Sequence, residues 1–142
     1  MKVVYNNYIP VKGFKSITIF YWVFVRNSAK NRFTVVDLNH ETIHFWQLVG
    51  CFVLALLLVI PLCLWCDVSW WWLAITPFGF YLRYLNWCLK EGILPPFDKL
   101  YKDLPFEREA YDNQENLDYC KGFPPLFSWV FYIRIKRTWK DG

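Results

Sequence analysis

The pentapeptide His40-Glu41-Thr42-Ile43-His44 constrains this chain more than any other feature of its sequence. In a helix, positions i and i+4 lie one turn apart on the same face, so both imidazoles point the same way. Neutral imidazole is a good ligand for Zn²⁺, and a catalytic zinc typically has three protein ligands and a water. Glu41 lies about 100° further round the helix, where it can take a proton from such a water. These are the only two histidines of the chain, so the sequence predicts a zinc site with Glu41 as general base rather than a chance match.

Composition indicates a membrane protein. The chain has 142 residues, enough for one domain, and 56% of them are hydrophobic and 22% aromatic. A soluble domain of this size can hardly bury so many large side chains, so we expect contact with a lipid bilayer. The net charge of +4 is modest, and no basic stripe alternates with aromatic residues, so no nucleic-acid partner is expected.

Two apolar segments are candidates for membrane spans. Residues 45–65 contain no charge and are long enough to cross about 30 Å of hydrocarbon. Residues 69–89 form a weaker second span, interrupted by Pro77 and Arg83, and a hairpin that lies in one leaflet is the alternative. Aromatic residues are placed as they would be at two membrane interfaces. One interface would have Trp65, Trp70, Trp71 and Trp72, and the other Trp46, Tyr84 and Trp87.

The region before the first span, residues 1–36, is expected to be β-structure. Short apolar and β-branched runs at residues 3–5, 16–25 and 33–36 predict strands, the middle one a strand or hairpin, with a polar loop over residues 27–32. The helix that carries the histidines is expected over residues 38–65, with Asp37 or Asn39 as N-cap.

Residues beyond the second span are expected to return to water. A proline pair near residue 95 and a polar linker precede a predicted helix over residues 105–121, which starts at Pro105. Residues 124–140 mix aromatic and basic side chains, which is typical of an interfacial segment and equally of a packing helix with a basic end. The five cysteines have no paired metal or disulfide spacing and are expected to be free thiols.

The third zinc ligand must come from a carboxylate that can face the first helix. In the predicted helix that starts at Pro105, i, i+4, i+7 and i+11 spacing places four residues on one face. They are Glu107, Tyr111, Gln114 and Asp118. Glu109 lies about 160° from that face and is expected in solvent beside Arg108.

With these motifs the chain resembles the integral-membrane zinc peptidases of the gluzincin type. The prenyl-protein (CAAX) endopeptidases, bacterial heat-shock membrane proteases and β-lactam sensor proteases combine an HExxH helix with a downstream ligand glutamate in E-x-x-A-D. Here Glu107-Arg108-Glu109-Ala110 matches E-x-x-A, and Tyr111 stands where that family has aspartate. The resemblance implies that Glu107 is the third ligand and that another side chain orients a ligating histidine in place of the aspartate. Asp112, Asn113 and Gln114 are the candidates for that role, and Tyr111 or Tyr119 for a transition-state stabiliser. The chain is also similar to small bacterial membrane proteins that carry both motifs.

The sequence therefore predicts a single-domain α+β membrane protein over residues 1–142. Short N-terminal strands or a hairpin are followed by the HExxH helix, which runs into the first span (38–65 in all), then by the second span (69–89) of a transmembrane helical hairpin and by C-terminal helices. Six Lys and Arg precede residue 46, nine follow residue 89, and residues 66–70 have none. The positive-inside rule then places both motifs on the cytoplasmic side of a bacterial inner membrane.

Three functions fit these features. The first is a membrane-bound zinc peptidase that hydrolyses a polypeptide substrate near the membrane. The second is a non-catalytic zinc-binding membrane protein with a regulatory or accessory role. The third, a membrane-active toxin or phage-type accessory protein, requires only the apolar hairpin and the basic tail.

Overall fold

The computed structural model describes residues 1–10, 13–90, 102–122 and 124–133. Three strands come first, and helices make up most of the rest, which confirms the expected α+β content. The strands are β1 (Lys2–Asn6), β2 (Ser16–Ile19) and β3 (Trp22–Arg26). The α-helices are α1 (Val35–Trp65), α2 (Gly79–Lys90), α3 (Pro105–Asn113) and α4 (Trp129–Tyr132), and 3₁₀ helices cover Asn27–Arg32 and Trp70–Phe78.

The predicted hairpin over residues 16–25 is confirmed. β2 and β3 pair antiparallel across a turn at Phe20 and Tyr21, and β1 joins the other edge of β3 in parallel, giving the order β1-β3-β2. Val23 and Val25 on the central strand are fully buried. The hairpin turn is fixed to α2, because the backbone N–H of Phe20 donates to the Tyr81 hydroxyl at 2.8 Å. The sheet is therefore held against the helices at its β2 side.

The first long helix begins earlier than the sequence indicated. Thr34, not Asp37 or Asn39, is the N-cap of α1, and residues 33–36 are not a strand. The Thr34 hydroxyl accepts from the Asp37 N–H, and the Asp37 carboxylate accepts from the Thr34 N–H at 2.6 Å. This reciprocal capping box satisfies two N–H groups that would otherwise lack partners. It outweighs the β preference of the two valines that follow Thr34.

Helix α1 is 31 residues long and apolar enough to cross a membrane. Its second half exposes large apolar side chains, whose contact with water is unfavourable. Leu57, Leu58 and Leu64 are each more than half exposed. Among the described residues it is the one helix that meets the length and composition of a span.

The second apolar segment is not one α-helix over residues 69–89. It begins as the 3₁₀ helix Trp70–Phe78 and continues as α2, which has only 12 residues. Pro77 accounts for the division, because proline lacks an N–H and clashes with the carbonyl four residues earlier in an α-helix. Both parts pack against α1, so the two apolar segments lie side by side.

A cluster of aromatic rings fixes α3 against the other helices. Phe106 is fully buried and stacks on Phe80 with 4.7 Å between ring centroids. Trp87 and Trp129 meet the same ring edge-on at 4.7 and 5.1 Å. Trp87 is thus a core residue and not the interfacial tryptophan that we expected. Because Phe106 precedes Glu107, the cluster also fixes where that carboxylate lies.

Helix α3 ends at Asn113, eight residues before the predicted end. The Asn39 amide of α1 donates to the carbonyls of Gln114 at 2.8 Å and Asn116 at 3.0 Å. Asn39 thereby satisfies backbone oxygens that a longer helix would have bonded internally, and the chain turns away after two and a half turns. The following residues form turns, in which Asp118 is exposed and paired with Lys121.

The C-terminal segment packs in its described part. Trp129 of α4 is buried in the aromatic cluster, which favours a packing role for residues 124–133. The remainder of the predicted interfacial tail, residues 134–140, lies outside the described residues, as does the predicted break near residue 95.

The C-terminal segment lies very close to α1 at Gly50. A Cβ atom at this position would lie 1.8 Å from the backbone oxygen of Leu126. No side chain can be accommodated there without separating the two segments, so glycine is required by close approach and not by its backbone angles.

We expect Gly50→Ala to destabilise the fold by about 1–3 kcal/mol or more, as overpacking of a close contact does. Thermal unfolding of the full chain in detergent micelles measures the effect. Gly79→Ala is the matched control, because its Cβ would lie at an ordinary 3.6 Å from the carbonyl oxygen of Cys51. Equal melting temperatures for the two variants would contradict the observed contact.

Candidate metal centre

Three side chains from two helices bring one donor atom each to a common point. His40 and His44 of α1 place their Nε2 atoms 3.1 Å apart. Glu107 of α3 faces both rings, with carboxylate oxygens 3.6 Å from His40 Nε2 and 3.3 Å from His44 Nε2. These are the three ligands that the sequence motifs predicted, and this group is capable of holding a metal ion.

The spacing of the three donors fits a tetrahedral metal site. Zinc bonds of about 2.0–2.1 Å to nitrogen and oxygen imply about 3.3 Å between neighbouring ligand atoms of a tetrahedron. The two Nε2 atoms are 3.1 Å apart, and each faces a different Glu107 oxygen, at 3.6 Å from His40 and 3.3 Å from His44. Two imidazoles and one carboxylate are also the ligand set of the His₂Glu class of catalytic zinc sites. The residues therefore fit a divalent metal ion such as Zn²⁺ in number and chemistry.

The orientation of the His44 ring is fixed by Gln47, one turn further along α1. The Gln47 amide nitrogen donates to the Phe106 carbonyl at 3.0 Å and to a Glu109 carboxylate oxygen at 2.8 Å. Its oxygen must then be the atom that lies 2.7 Å from His44 Nδ1. An amide oxygen only accepts, so Nδ1 carries a proton and Nε2 faces the site. Burial by itself would lower the pKa of His44, but the Glu107 carboxylate outweighs it and raises the pKa to about 9, so a bound metal ion would replace a proton on Nε2.

The His40 ring is held in the same way by Gln114. The Gln114 amide oxygen lies 3.2 Å from His40 Nδ1. Of the three candidates for orienting a histidine, Gln114 is the one that lies against a ring nitrogen, whereas Asp112 is solvent-exposed and the Asn113 amide donates to the Tyr132 hydroxyl. Gln114 lies one residue beyond the end of α3, so it reaches His40 because Asn39 holds that turn against α1.

Glu107 is almost completely buried, and a tyrosine fixes its carboxylate. Tyr84 of α2 donates from its hydroxyl to a Glu107 oxygen at 2.9 Å. Burial by itself would raise the pKa of Glu107, but the two facing imidazoles outweigh it and hold the pKa below its usual value. The carboxylate is therefore ionised at neutral pH and available to a cation. We had expected Tyr84 at a membrane interface, and its role in the site has no signal in the sequence.

Glu109 is not in solvent beside Arg108, as its position on the helix had indicated. It is fully buried and accepts from Gln47, from the Tyr119 hydroxyl at 2.9 Å and from the Ser128 hydroxyl. Burial raises the pKa of Glu109, although these three hydrogen bonds oppose the shift. The helix is covered on that side by the C-terminal segment, which the residues of α3 alone could not reveal. Glu109 therefore supports the His44 orientation through Gln47.

Glu41 and Tyr111 lie beside the three donors. Glu41 is buried, and its carboxylate accepts from Ser16 and Thr18 of β2, so it is not a fourth member of the donor cluster. The Tyr111 ring meets the His40 ring edge-on at 4.7 Å. Burial raises the pKa of Tyr111 to about 12, and the charges of Glu107 and Glu41 act in the same direction. Tyr111 is thus a protonated phenol at the edge of the site.

Comparison with protein-family models, with curated proteins and with solved structures found no match for this chain. The metal-centre interpretation therefore stands on the geometry of these residues.

We expect zinc affinity to fall much more when a donor side chain is removed than when an orienting amide is removed. His44→Ala and Glu107→Gln should abolish tight Zn²⁺ binding, because two donors do not form a tetrahedral site. Gln47→Leu should weaken zinc affinity about 10–100-fold, the usual cost of losing a group that orients a ligand. Competition between the purified protein and a chromophoric chelator measures each affinity.

Thr42→Val is the control for these variants. Thr42 lies between the two histidines, and its hydroxyl donates to the Leu38 carbonyl of its own helix. The zinc affinity of the Thr42→Val variant should equal that of the wild type. Wild-type affinity in Gln47→Leu would show that the amide does not set the ring orientation, and wild-type affinity in Glu107→Gln would remove the carboxylate from the site.

Proposed function

We propose that this protein is a membrane-bound zinc-dependent peptidase that hydrolyses peptide bonds of a polypeptide close to the membrane. One observation carries the proposal: the His40 and His44 Nε2 atoms lie 3.1 Å apart, a Glu107 oxygen faces each of them at 3.6 and 3.3 Å, and Nδ1 of each ring lies against an amide oxygen. A buried carboxylate that faces two imidazole rings attracts positive charge, which a proton on His44 or a bound cation supplies. This is the arrangement of a metal site, and HExxH supplies the general base beside it.

The residues around the site have separate tasks in hydrolysis. When bound, Zn²⁺ supplies a Lewis acid that polarises the scissile carbonyl and makes water a nucleophile at neutral pH. His40, His44 and Glu107 hold the ion, and Gln114, Gln47 and Tyr84 orient those three side chains. Glu41 takes the proton of the attacking water and returns it to the leaving amine. Tyr111 is protonated at neutral pH and is the candidate donor for charge that develops on the carbonyl oxygen.

The polypeptide is proposed to bind along strand β2. β2 is an edge strand, and its hydroxyl side chains contact Glu41, so its backbone runs beside the general base. An extended peptide that adds to an exposed edge gains main-chain hydrogen bonds without a requirement for one sequence.

The site belongs at the surface of a lipid bilayer in this proposal. The histidines lie in the first third of α1, and the exposed leucines follow in its second half. Trp65, Trp70, Trp71 and Trp72 are all more than half exposed at the far end of that apolar surface, as residues of a membrane interface are. With residues 45–65 and 69–89 as an in-and-out hairpin, both motifs lie on the cytoplasmic side of a bacterial inner membrane.

Cysteine labelling tests this topology. In a background without the other cysteines, Cys66 should be labelled from the periplasmic side, and single cysteines from Ser28→Cys and Lys121→Cys from the cytoplasmic side. All three positions are exposed, so access depends on the membrane and not on burial. A membrane-impermeant maleimide applied to spheroplasts and to inverted vesicles gives the measurement. Labelling of positions 28 and 121 from opposite sides would contradict the hairpin.

A second function is favoured by the enclosure of the ligands. The side chains of His40, His44 and Glu107 are only 14%, 9% and 2% exposed. Structural zinc sites are closed, whereas a catalytic site requires an open position for water. The alternative is therefore a non-catalytic zinc-binding membrane protein, in which the metal fixes α3 to α1.

Glu41→Gln separates the two functions. If the protein is a peptidase, this variant should retain zinc and its fold but lose about 10²–10⁴-fold in hydrolysis, the usual contribution of a general base. Hydrolysis of fluorescein-labelled casein by the zinc-loaded full chain in micelles gives the rate, and metal analysis gives the zinc content. Glu115→Gln, which alters an exposed glutamate, is the control and should match the wild type. Equal rates for wild type and Glu41→Gln would exclude Glu41 as the base.

A further inference from the structure

Two hydroxyl side chains lie on the buried face of the edge strand β2. Ser16 pairs with Val25 and Thr18 with Val23 in the antiparallel register. Residues that face each other in such a pair project to the same side of the sheet, and both valines are fully buried. A hydroxyl on this side is costly unless it finds a hydrogen-bond partner.

Both hydroxyls find the same partner, the Glu41 carboxylate. Ser16 Oγ donates to Glu41 Oε1 at 2.6 Å, and Thr18 Oγ1 donates to Glu41 Oε2 at 2.6 Å. Glu41 is 5% exposed and Thr18 6% exposed, so these hydrogen bonds lie away from bulk water. Each carboxylate oxygen is held by one donor, which fixes both the direction and the plane of the group.

We propose that Ser16 and Thr18 are positioning residues that hold the Glu41 carboxylate for its role as general base, an inference that rests on the proposed peptidase function. A glutamate side chain has several rotatable bonds, and helix α1 alone does not select among its rotamers. An ionised carboxylate has about four acceptor positions, of which the two hydroxyls occupy two, so the others are available to a water. Strand β2 thus sets the base while it leaves that base able to accept a proton.

The proposal differs from a purely structural role in what it predicts for rates. If the hydroxyls only satisfy a buried charge, their loss weakens the fold and leaves kcat unchanged. If they position the base, their loss lowers kcat with zinc content and KM unchanged, because misplacement of a reacting group by about 1 Å can cost on the order of 10² in rate.

The kinetic test uses Ser16→Ala, Thr18→Val and the double variant of the full chain in micelles, with labelled casein as substrate. We expect kcat to fall about 10–100-fold in the double variant while zinc content and KM stay at wild-type values. Thr18→Ser restores a hydroxyl and should recover most of the rate, and Ser28→Ala, which removes an exposed hydroxyl, should have no effect. In a Glu41→Gln background the same substitutions should cause no further loss.

A second measurement does not depend on activity. A double-mutant cycle between Thr18→Val and Glu41→Gln, followed by unfolding in micelles, reports whether the two side chains interact. We expect a coupling of about tenfold or more in the unfolding equilibrium constant, as for a hydrogen bond to a charged group. The Ser16→Ala and Thr18→Val single variants keep one hydroxyl each, so the kinetic test stands even if the variant that lacks both hydroxyls fails to fold.

The outcomes separate the two proposals. Coupling with reduced kcat supports the positioning role. Coupling with unchanged kcat, or no coupling, overturns it while the peptidase function stands. A zinc-loaded wild type that hydrolyses nothing overturns the peptidase function and the positioning role with it, and the coupling then identifies the hydroxyls as structural partners of a buried carboxylate.

Discussion

The structure depends on one amide group, that of Gln47. Its nitrogen binds the Phe106 carbonyl and the Glu109 carboxylate on α3, and its oxygen binds the His44 ring on α1. The same side chain therefore joins the two helices and decides which nitrogen of His44 carries the proton. A buried amide must satisfy both its ends, because each unpaired polar group away from water costs about 1–3 kcal/mol. If α3 moved, Gln47 would lose its partners and the His44 orientation would be lost with them.

Polar groups in this apolar protein are concentrated around the three donors. Gln47, Glu107 and Glu109 are each no more than 1% exposed, and every one of them contacts a histidine or a group that orients one. Apolar packing fixes their positions: the aromatic cluster around Phe106 sets α3, and the contact of Gly50 with Leu126 sets the C-terminal segment. Because the surroundings are hydrophobic, an unpaired charge there would cost far more free energy than at the protein surface.

The sequence predicted the elements with strong local signals. The i,i+4 histidines and the charge-free run after residue 44 carry the period and the length of a helix, and the β-branched and aromatic bias of residues 16–25 favoured a strand or hairpin. The predictions that were wrong concern positions whose structure depends on residues far away in the sequence. Asn39 ends α3 early, and the C-terminal segment buries Glu109. A polar residue within an apolar run, such as Gln47, was the one available signal for the groups around the site. Tyr84 and the hydroxyls of β2 reach the site only through tertiary packing.

The environment of the three donors is asymmetric, and this bears on how a substrate would reach them. His44 faces the aromatic cluster, with its ring 6.3 Å from that of Phe80, and Glu107 is closed off on the same side. His40 is the most exposed of the three, and its neighbours are the amide of Gln114 and the phenol of Tyr111. The His40 side of the three donors is therefore the more polar and the less enclosed. A polypeptide that reached the site would therefore come from the side of the sheet and α3, not from the lipid-facing surface of α1.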